Sequence, residues 1–247
     1  GASTEEAQTN VAVDVAEQIV DVFSGRSARS AVNMPAMAPE VLAAVQPFLP
    51  LAEKLAMLAV QTLDGRPGSI EIRYAGEMAG METGPITRAV LVGLLRPVVG
   101  EMVNTVNAPV LAKSRGLEVV ESKSPEGGDY ASLLTIAVKT DKGINEFSGT
   151  LFGAKDMRVV RMGGFPMDLA PEGVVLVVPH EDKPGIIGSV GTLLGSESIN
   201  IASMYVGRKT QGQNAIMVLN VDSEVPQPVM ERIAQVPGIH RVHQVRL

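Results

Sequence analysis

Cysteine and tryptophan are both missing from the 247-residue sequence, and aromatics amount to only 3 %. Without cysteine there can be no disulfide, no thiolate nucleophile and no cysteine-ligated zinc or iron–sulfur centre, and no metal site is expected. The scarcity of rings removes the stacking platforms that single-stranded nucleic acids need. Long basic runs are absent too. With 21 basic against 27 acidic residues the net charge is −6, so a polyanionic partner is not expected. The longest apolar stretches, such as AVLVGLLRPVVG, are broken by Arg and Pro, well short of the roughly 20 residues that span a bilayer. GASTEEAQTN at the start lacks the basic and apolar regions of a secretory signal. These exclusions leave a cytoplasmic protein with no membrane or nucleic-acid partner as the expectation.

What is present is an apolar content of 45 %, including 12 Met, enough for one large domain or two ordinary ones. Ser3 and Glu6 have capping-box spacing, and Val11, Val15, Ile19 and Val22 recur at helical intervals up to Gly25. That predicts a helix over residues 3–24 with one apolar face, either packed on its own domain or the tail of something larger. PEVLAAVQPFLPLAEKLAMLAVQTLDG reads as two helical pieces punctuated by Pro47 and Pro50, and SIEIRYAG alternates as a strand with Ile70, Ile72 and Tyr74 on one face. PITRAVLVGLLRPVV and TVNAPVLAKSRG are helical; in the second, Asn107 and Pro109 open the helix and Gly116 closes it. LEVVES, ASLLTIAVKT, INEFSGTLFG and DMRVVRM read as strands. GGFPMDLAPEG, rich in Gly and Pro, reads as a boundary. The expected organisation is an opening helix and linker (1–28), a mixed α+β domain (29–170) and a third segment (171–247).

That third segment is periodic in a legible order. VVLVV is a strand, PGIIGSVGTLLG a helix with Ile186, Ile187, Val190, Leu193 and Leu194 on one side, INIASMYV and NAIMVLNV strands, PQPVMERIAQV a helix and IHRVHQVRL a final strand. The order βαββαβ folds as a ferredoxin-like antiparallel sheet with both helices on one face, and the fold class is α+β.

Between its first strand and helix stands a polar cluster, His180-Glu181-Asp182. Pro184 suits a first helical turn, and the amides after it would carry the positive end of the helix dipole. Gly185 lets a ligand approach the backbone. Asp182 offers a counter-charge for an ammonium group, His180 a donor or acceptor, and Asn200, at the head of the next strand, both kinds. Anion-binding amides beside a carboxylate suit a zwitterionic α-amino acid. The plainer roles stand beside this: Asp182 as a helix cap, His180 as a solvated strand end, Asn200 as a turn former.

PHEDKPGIIGSVGTLLGSESINIASMYV resembles an ACT domain, the ligand-sensing module of amino-acid metabolism. ARSAVNMPAM and VNTVNAPVLAKSRGLEV resemble the intervening, allosteric substrate-binding domain of long-form D-3-phosphoglycerate dehydrogenases. GASTEEAQTNVAVDVAEQI resembles the last helix of that family's catalytic domain. The resemblance implies a regulatory, oligomerising fragment of an NAD-dependent enzyme of serine biosynthesis. The catalytic His would precede Gly1 and the nucleotide-binding domain would lie upstream, so the chain alone would hold no cofactor and catalyse nothing. It implies L-serine as feedback effector at an interface between two ACT domains of a homo-oligomer, dimer or tetramer. His180, Asp182 and Gly185 would come from one domain and Asn200 from its partner, with Asp182 standing where some members have Asn. For the middle domain it implies an anion or phosphorylated effector, with Lys155, Arg158 and Arg161 as the basic candidates. Residues three apart on a strand face opposite ways, so both arginines are not expected to share one ligand. The alternatives are a stand-alone amino-acid sensor and a subunit of L-serine dehydratase, whose iron–sulfur cluster would need cysteines from elsewhere.

Overall fold

In the computed structural model, residues 4–24, 30 and 38–247 are described, and the chain forms two units, 1–46 and 47–247. The first unit carries α1 (Glu5–Phe23) and α2 (Pro39–Val45). Thr4 caps α1, its Oγ1 accepting from the Ala7 amide at 3.2 Å; Ser3, Gly25 and most of the linker and of ARSAVNMPAM lie outside the described residues. The apolar stripe of α1 is uncovered, with Val11, Val15, Ile19 and Val22 all exposed.

The second unit opens with α3 (Phe48–Gln61) and β1 (Pro67–Gly76), then α4 (Gly84–Val99) and α5 (Ala108–Ser114). Five more strands follow: β2 (Glu118–Ser124), β3 (Ser132–Thr140), β4 (Gly143–Phe152), β5 (Asp156–Met162) and β6 (Phe165–Leu169). They form one sheet in the order β2-β1-β3-β4-β5-β6. Strand alternation sends Ile70, Ile72 and Tyr74 to one face, where they are fully buried together with Leu51, Leu55 and Leu58 of α3. Two helices cover that face at close range. A Cβ on Gly93 of α4 would lie 2.0 Å from the Glu53 carbonyl of α3, so only glycine permits the crossing, and Arg96 pairs with Glu53 beside it. The buried Tyr74 hydroxyl sits 2.7 Å from Thr87 Oγ1, which lies 2.8 Å from Glu121 Oε1. Burial pushes the Tyr74 phenol well above its ordinary range. Asn107 sits at the N-cap of α5 as expected, but its side chain turns back to Asn104 and Met102 rather than onto the helix.

GGFPMDLAPEG, read from the sequence as a boundary, also holds a strand: Phe165–Leu169 is the edge strand β6, paired with β5. Proline is tolerated because Pro166 lies on an edge.

A second sheet carries the expected order: β7 (Val174–Glu181), α6 (Ile186–Ser196), β8 (Ile201–Arg208), β9 (Asn214–Val221), α7 (Gln227–Ala234) and β10 (His243–Arg246). Its strands run β10-β7-β9-β8, with every neighbouring pair antiparallel, which is the ferredoxin-like arrangement. Leu176 and Val178 of β7, Leu219 of β9, Val190 and Leu194 of α6 and Ile233 of α7 share one core, so both helices lie on the same face. Ile187, expected on the buried side of α6, is instead 42 % exposed, because α6 begins at Ile186 and its buried stripe runs Ile186, Val190, Leu194. The last strand is shorter than its alternation suggested: Ile239 makes only an isolated bridge to His180.

The two sheets are tied together. Lys54 Nζ donates to Pro171 O at 2.7 Å, Asn220 Nδ2 donates to Ala170 O and Glu172 O, and Arg241 pairs with Asp64. Among the described residues no helix is long and apolar enough to cross a membrane.

Candidate functional site

β7 delivers His180 and Asp182 to the start of α6. His180 is 2 % exposed, which removes its reading as a solvated strand end. Its Nδ1 lies 2.7 Å from Glu181 O, and its buried Nε2 has no protein partner. A buried ring nitrogen without a partner is costly and is the least satisfied polar atom at this end of the sheet. Asp182 does not cap the helix. Its Oδ2 accepts from the Gly212 amide at 3.0 Å and from Arg208 Nη1 at 3.1 Å. These two donors, the amide first, hold its carboxyl below the usual carboxylate range. The Asp182 amide donates to Gln213 O at 2.7 Å, continuing the β7–β9 ladder. Glu181 beside it pairs with Lys183, which lowers its own titration.

Pro184 precedes the helix instead of occupying its first turn. Gly185 is the N-cap, at φ +94°, a left-handed conformation open to glycine and strained for any other side chain. The first intrahelical bond runs from Ser189 N to Gly185 O at 2.9 Å, so the amides of Ile186, Ile187 and Gly188 stand free at the end of α6, where the helix dipole is positive.

Asn200 is not part of this cluster. It lies just before β8, its Nδ2 donating to Asp222 Oδ2 at 2.7 Å. Register fixes the separation: Glu181 pairs with Asn214 at one end of β7 and Val174 with Val221 at the other, while β8 pairs Ile201 with Val221 and Arg208 with Ala215. His180, Asp182 and Gly185 therefore occupy one end of the sheet and Asn200 the opposite end, about 20 Å away at the rise of a strand.

Arg208 and Gly212 were not anticipated as members of the cluster. What brings them in is the register of the β8–β9 hairpin, which sets Arg208 against Ala215 while Asn214 pairs with Glu181 at the end of β7.

In the middle domain Lys155 is exposed in the turn between β4 and β5. The expectation that Arg158 and Arg161 face opposite ways is corrected. β5 is bulged between Val159 and Arg161, so that Arg158 opposes Thr150 and Arg161 opposes Ser148, two residues on one face of β4. Both arginines thus share the face away from the helices. Arg158 is already paired there, with Asp156 at 3.0 Å and Asp168 at 3.3 Å, and its titration is raised by them. The domain also holds an apolar cavity of about 320 Å³ between the ends of α3 and α4, floored by Leu94, Leu95 and Leu117 with Arg66 and Arg115 at its rim. None of the basic residues singled out from the sequence reaches it.

The fold and site together define a class: a mixed α+β domain followed by a ferredoxin-like, ACT-type domain with a polar strand-to-helix corner. Residues 44–163 match the D-3-phosphoglycerate dehydrogenase intervening domain, and residues 174–238 match the ACT domain. The chain is similar over its whole length to the D-3-phosphoglycerate dehydrogenase of Synechocystis, at 42 % identity, covering 45 % of that protein. It is similar to those of Methanocaldococcus jannaschii, at 41 % identity and 47 % coverage, and Mycobacterium tuberculosis, at 33 % and 47 %. The chain belongs to the D-3-phosphoglycerate dehydrogenase family, of which it carries the intervening and ACT domains, and it spans about half the length of these relatives. The alternative readings, a stand-alone sensor and an L-serine dehydratase subunit, find no support in these matches.

Proposed function

We propose that this chain is the regulatory and oligomerising portion of an NAD-dependent D-3-phosphoglycerate dehydrogenase, and that it binds L-serine as a feedback effector between two ACT domains. The observation that carries this is the division of the candidate residues between opposite ends of one sheet. A two-fold axis relating two such domains side by side sets the His180–Asp182–Gly185 end of one against the Asn200 end of the other. At that junction the free amides of α6 would take the carboxylate, Asp182 the ammonium group, and the unpartnered His180 Nε2 together with the partner domain's copy of Asn200 the remaining polar atoms. Effector binding would then favour the quaternary arrangement that completes the site, and the enzyme would respond through that shift in population. NAD belongs to the parent enzyme in this reading. For the middle domain, Arg161 is the basic residue that a phosphorylated ligand would meet first, since Arg158 is occupied by Asp156 and Asp168.

The test is calorimetric titration of the chain with L-serine, with D-serine and 3-phosphoglycerate as comparisons, alongside Asp182→Ala and Asn200→Ala. Stereoselective binding abolished in both variants supports the reading. Silence at millimolar L-serine would leave an oligomerisation module without an amino-acid site.

A further inference from the structure

We infer that Arg208 is the residue that sets how strongly this site takes an ammonium group: its guanidinium already stands on the Asp182 carboxylate and competes with any ligand cation for it. This rests on the amino-acid reading of the site.

The charge count at the corner leads to this. Asp182 is the carboxylate to which this reading assigns the ammonium group, and its one negative charge is shared with Arg208, 3.1 Å away. An ammonium group arriving there meets a carboxylate whose charge is largely balanced. It must either push the guanidinium aside or bind beside a like charge, and each route lowers affinity. The Gly212 amide on the same oxygen is neutral in net charge and stays whether or not Arg208 leaves.

Arg208 lies in the ACT sheet but is steadied by contacts from outside it. It is the last residue of β8, and its neighbours on both sides are seated on β6 of the middle domain. A Cβ at Gly207 would lie 3.1 Å from Pro166 O. Lys209 Nζ stands 5.0 Å from the centre of the Phe165 ring and 3.4 Å from Gly163 O. The backbone on either side of Arg208 is thus fixed by the β6 edge, and its reach to Asp182 follows from that seating. The residue that tunes the ACT corner is aimed by the domain before it.

The pair is only part-buried, with the Arg208 side chain 56 % and the Asp182 side chain 21 % exposed. Its removal should therefore act modestly, by a factor of about three to five in Kd, the range of an exposed ion pair. The experiment uses the full chain as wild type, Arg208→Gln and Arg208→Lys, each titrated with L-serine and with 3-hydroxypropanoate, which keeps the carboxylate and hydroxyl and lacks the ammonium group. Arg208→Gln is expected to tighten L-serine about three- to fivefold without tightening 3-hydroxypropanoate, and Arg208→Lys to stay near wild type for both. An L-serine Kd that is unchanged or weaker in Arg208→Gln overturns it, the weaker value marking Arg208 as a direct contact of the ligand carboxylate. Tightening of both ligands alike also overturns it, because a structural loosening would do that. If wild type and both variants are all silent toward L-serine, the amino-acid site itself fails and this role falls with it, an outcome distinct from equal, measurable affinities. Melting curves of the three proteins identify any variant that does not fold, in which case the Lys variant and Phe165→Ala, which unseats Lys209, carry the comparison, with Phe165→Ala expected to tighten L-serine in the same direction.

Discussion

The side-chain amide of Gln61, at the end of α3, pairs with the backbone of Arg246 on both sides: Nε2 donates to Arg246 O at 3.0 Å, and Arg246 N donates to Oε1 at 3.1 Å. β10 is an edge strand of the second sheet, and this single glutamine takes the place that a neighbouring strand would occupy. Replacing it frees one donor and one acceptor on an exposed edge that water can reach. Gln61→Ala should cost about 1 kcal/mol and raise the native-state exchange rate of the Arg246 amide at least severalfold, read by hydrogen exchange and NMR.

The opposed placement of Asp182 and Asn200 makes a complementation prediction. If each effector site draws on two chains, Asp182→Ala and Asn200→Ala homodimers should both fail to bind L-serine. A mixture refolded together should recover binding in its heterodimers, one site of every two being intact. Recovery of no sites on mixing, with heterodimers confirmed by native mass spectrometry, would place both residues in one chain's site and contradict the interface.

Gly93 governs the closest helix crossing. A methyl group there, 2.0 Å from Glu53 O, must separate α3 from α4. Gly93→Ala is expected to destabilise the chain by about 2–3 kcal/mol, measured by urea denaturation, whereas Gly100→Ala creates no comparable clash and strains only its own backbone at φ +98°.

His243 supplies a pH dependence. Burial, with Arg241 nearby, pushes its titration below the ordinary 6.5. The unfolded chain then takes up the proton more readily than the folded one. Stability from this residue is present in full above its unfolded value and is lost as pH falls from about 6.5 through the folded one. The drop in unfolding free energy between pH 7 and pH 5 should accordingly be smaller in His243→Gln than in wild type, measured at matched ionic strength.

Much of this architecture can be read directly from residue patterns. Ile70, Ile72 and Tyr74 alternate and are buried together, and the βαββαβ order of residues 174–246 is plain in its periods of two and 3.6. The failures have identifiable physical causes. Phe165–Leu169 was hidden because Gly and Pro mark a turn equally well when an edge strand can absorb the missing amide. The shared face of Arg158 and Arg161 was hidden because a bulge at one residue reverses alternation, and a bulge leaves no composition signal when its extra residue is Val160. Within the candidate site, the local members His180, Asp182 and Gly185 were visible from neighbouring positions in the sequence. Arg208, which comes from the far end of a hairpin, needed the register.

The strand β6 changes what kind of motion the second unit allows. A flexible tether would let two domains swing, but here the chain leaves one sheet from a hydrogen-bonded edge at Leu169 and enters the next at Val174, with four residues between them. That short crossing is itself gripped, by Asn220 at Ala170 and Glu172 and by Lys54 at Pro171. Rotation about such a crossing would break these bonds together, so small sliding along the β6–β8 edge is the displacement of lowest cost. Residues 47–247 are best regarded as a lever with a stiff joint, in which a push at the Asp182 corner is delivered to the middle sheet instead of being lost in slack.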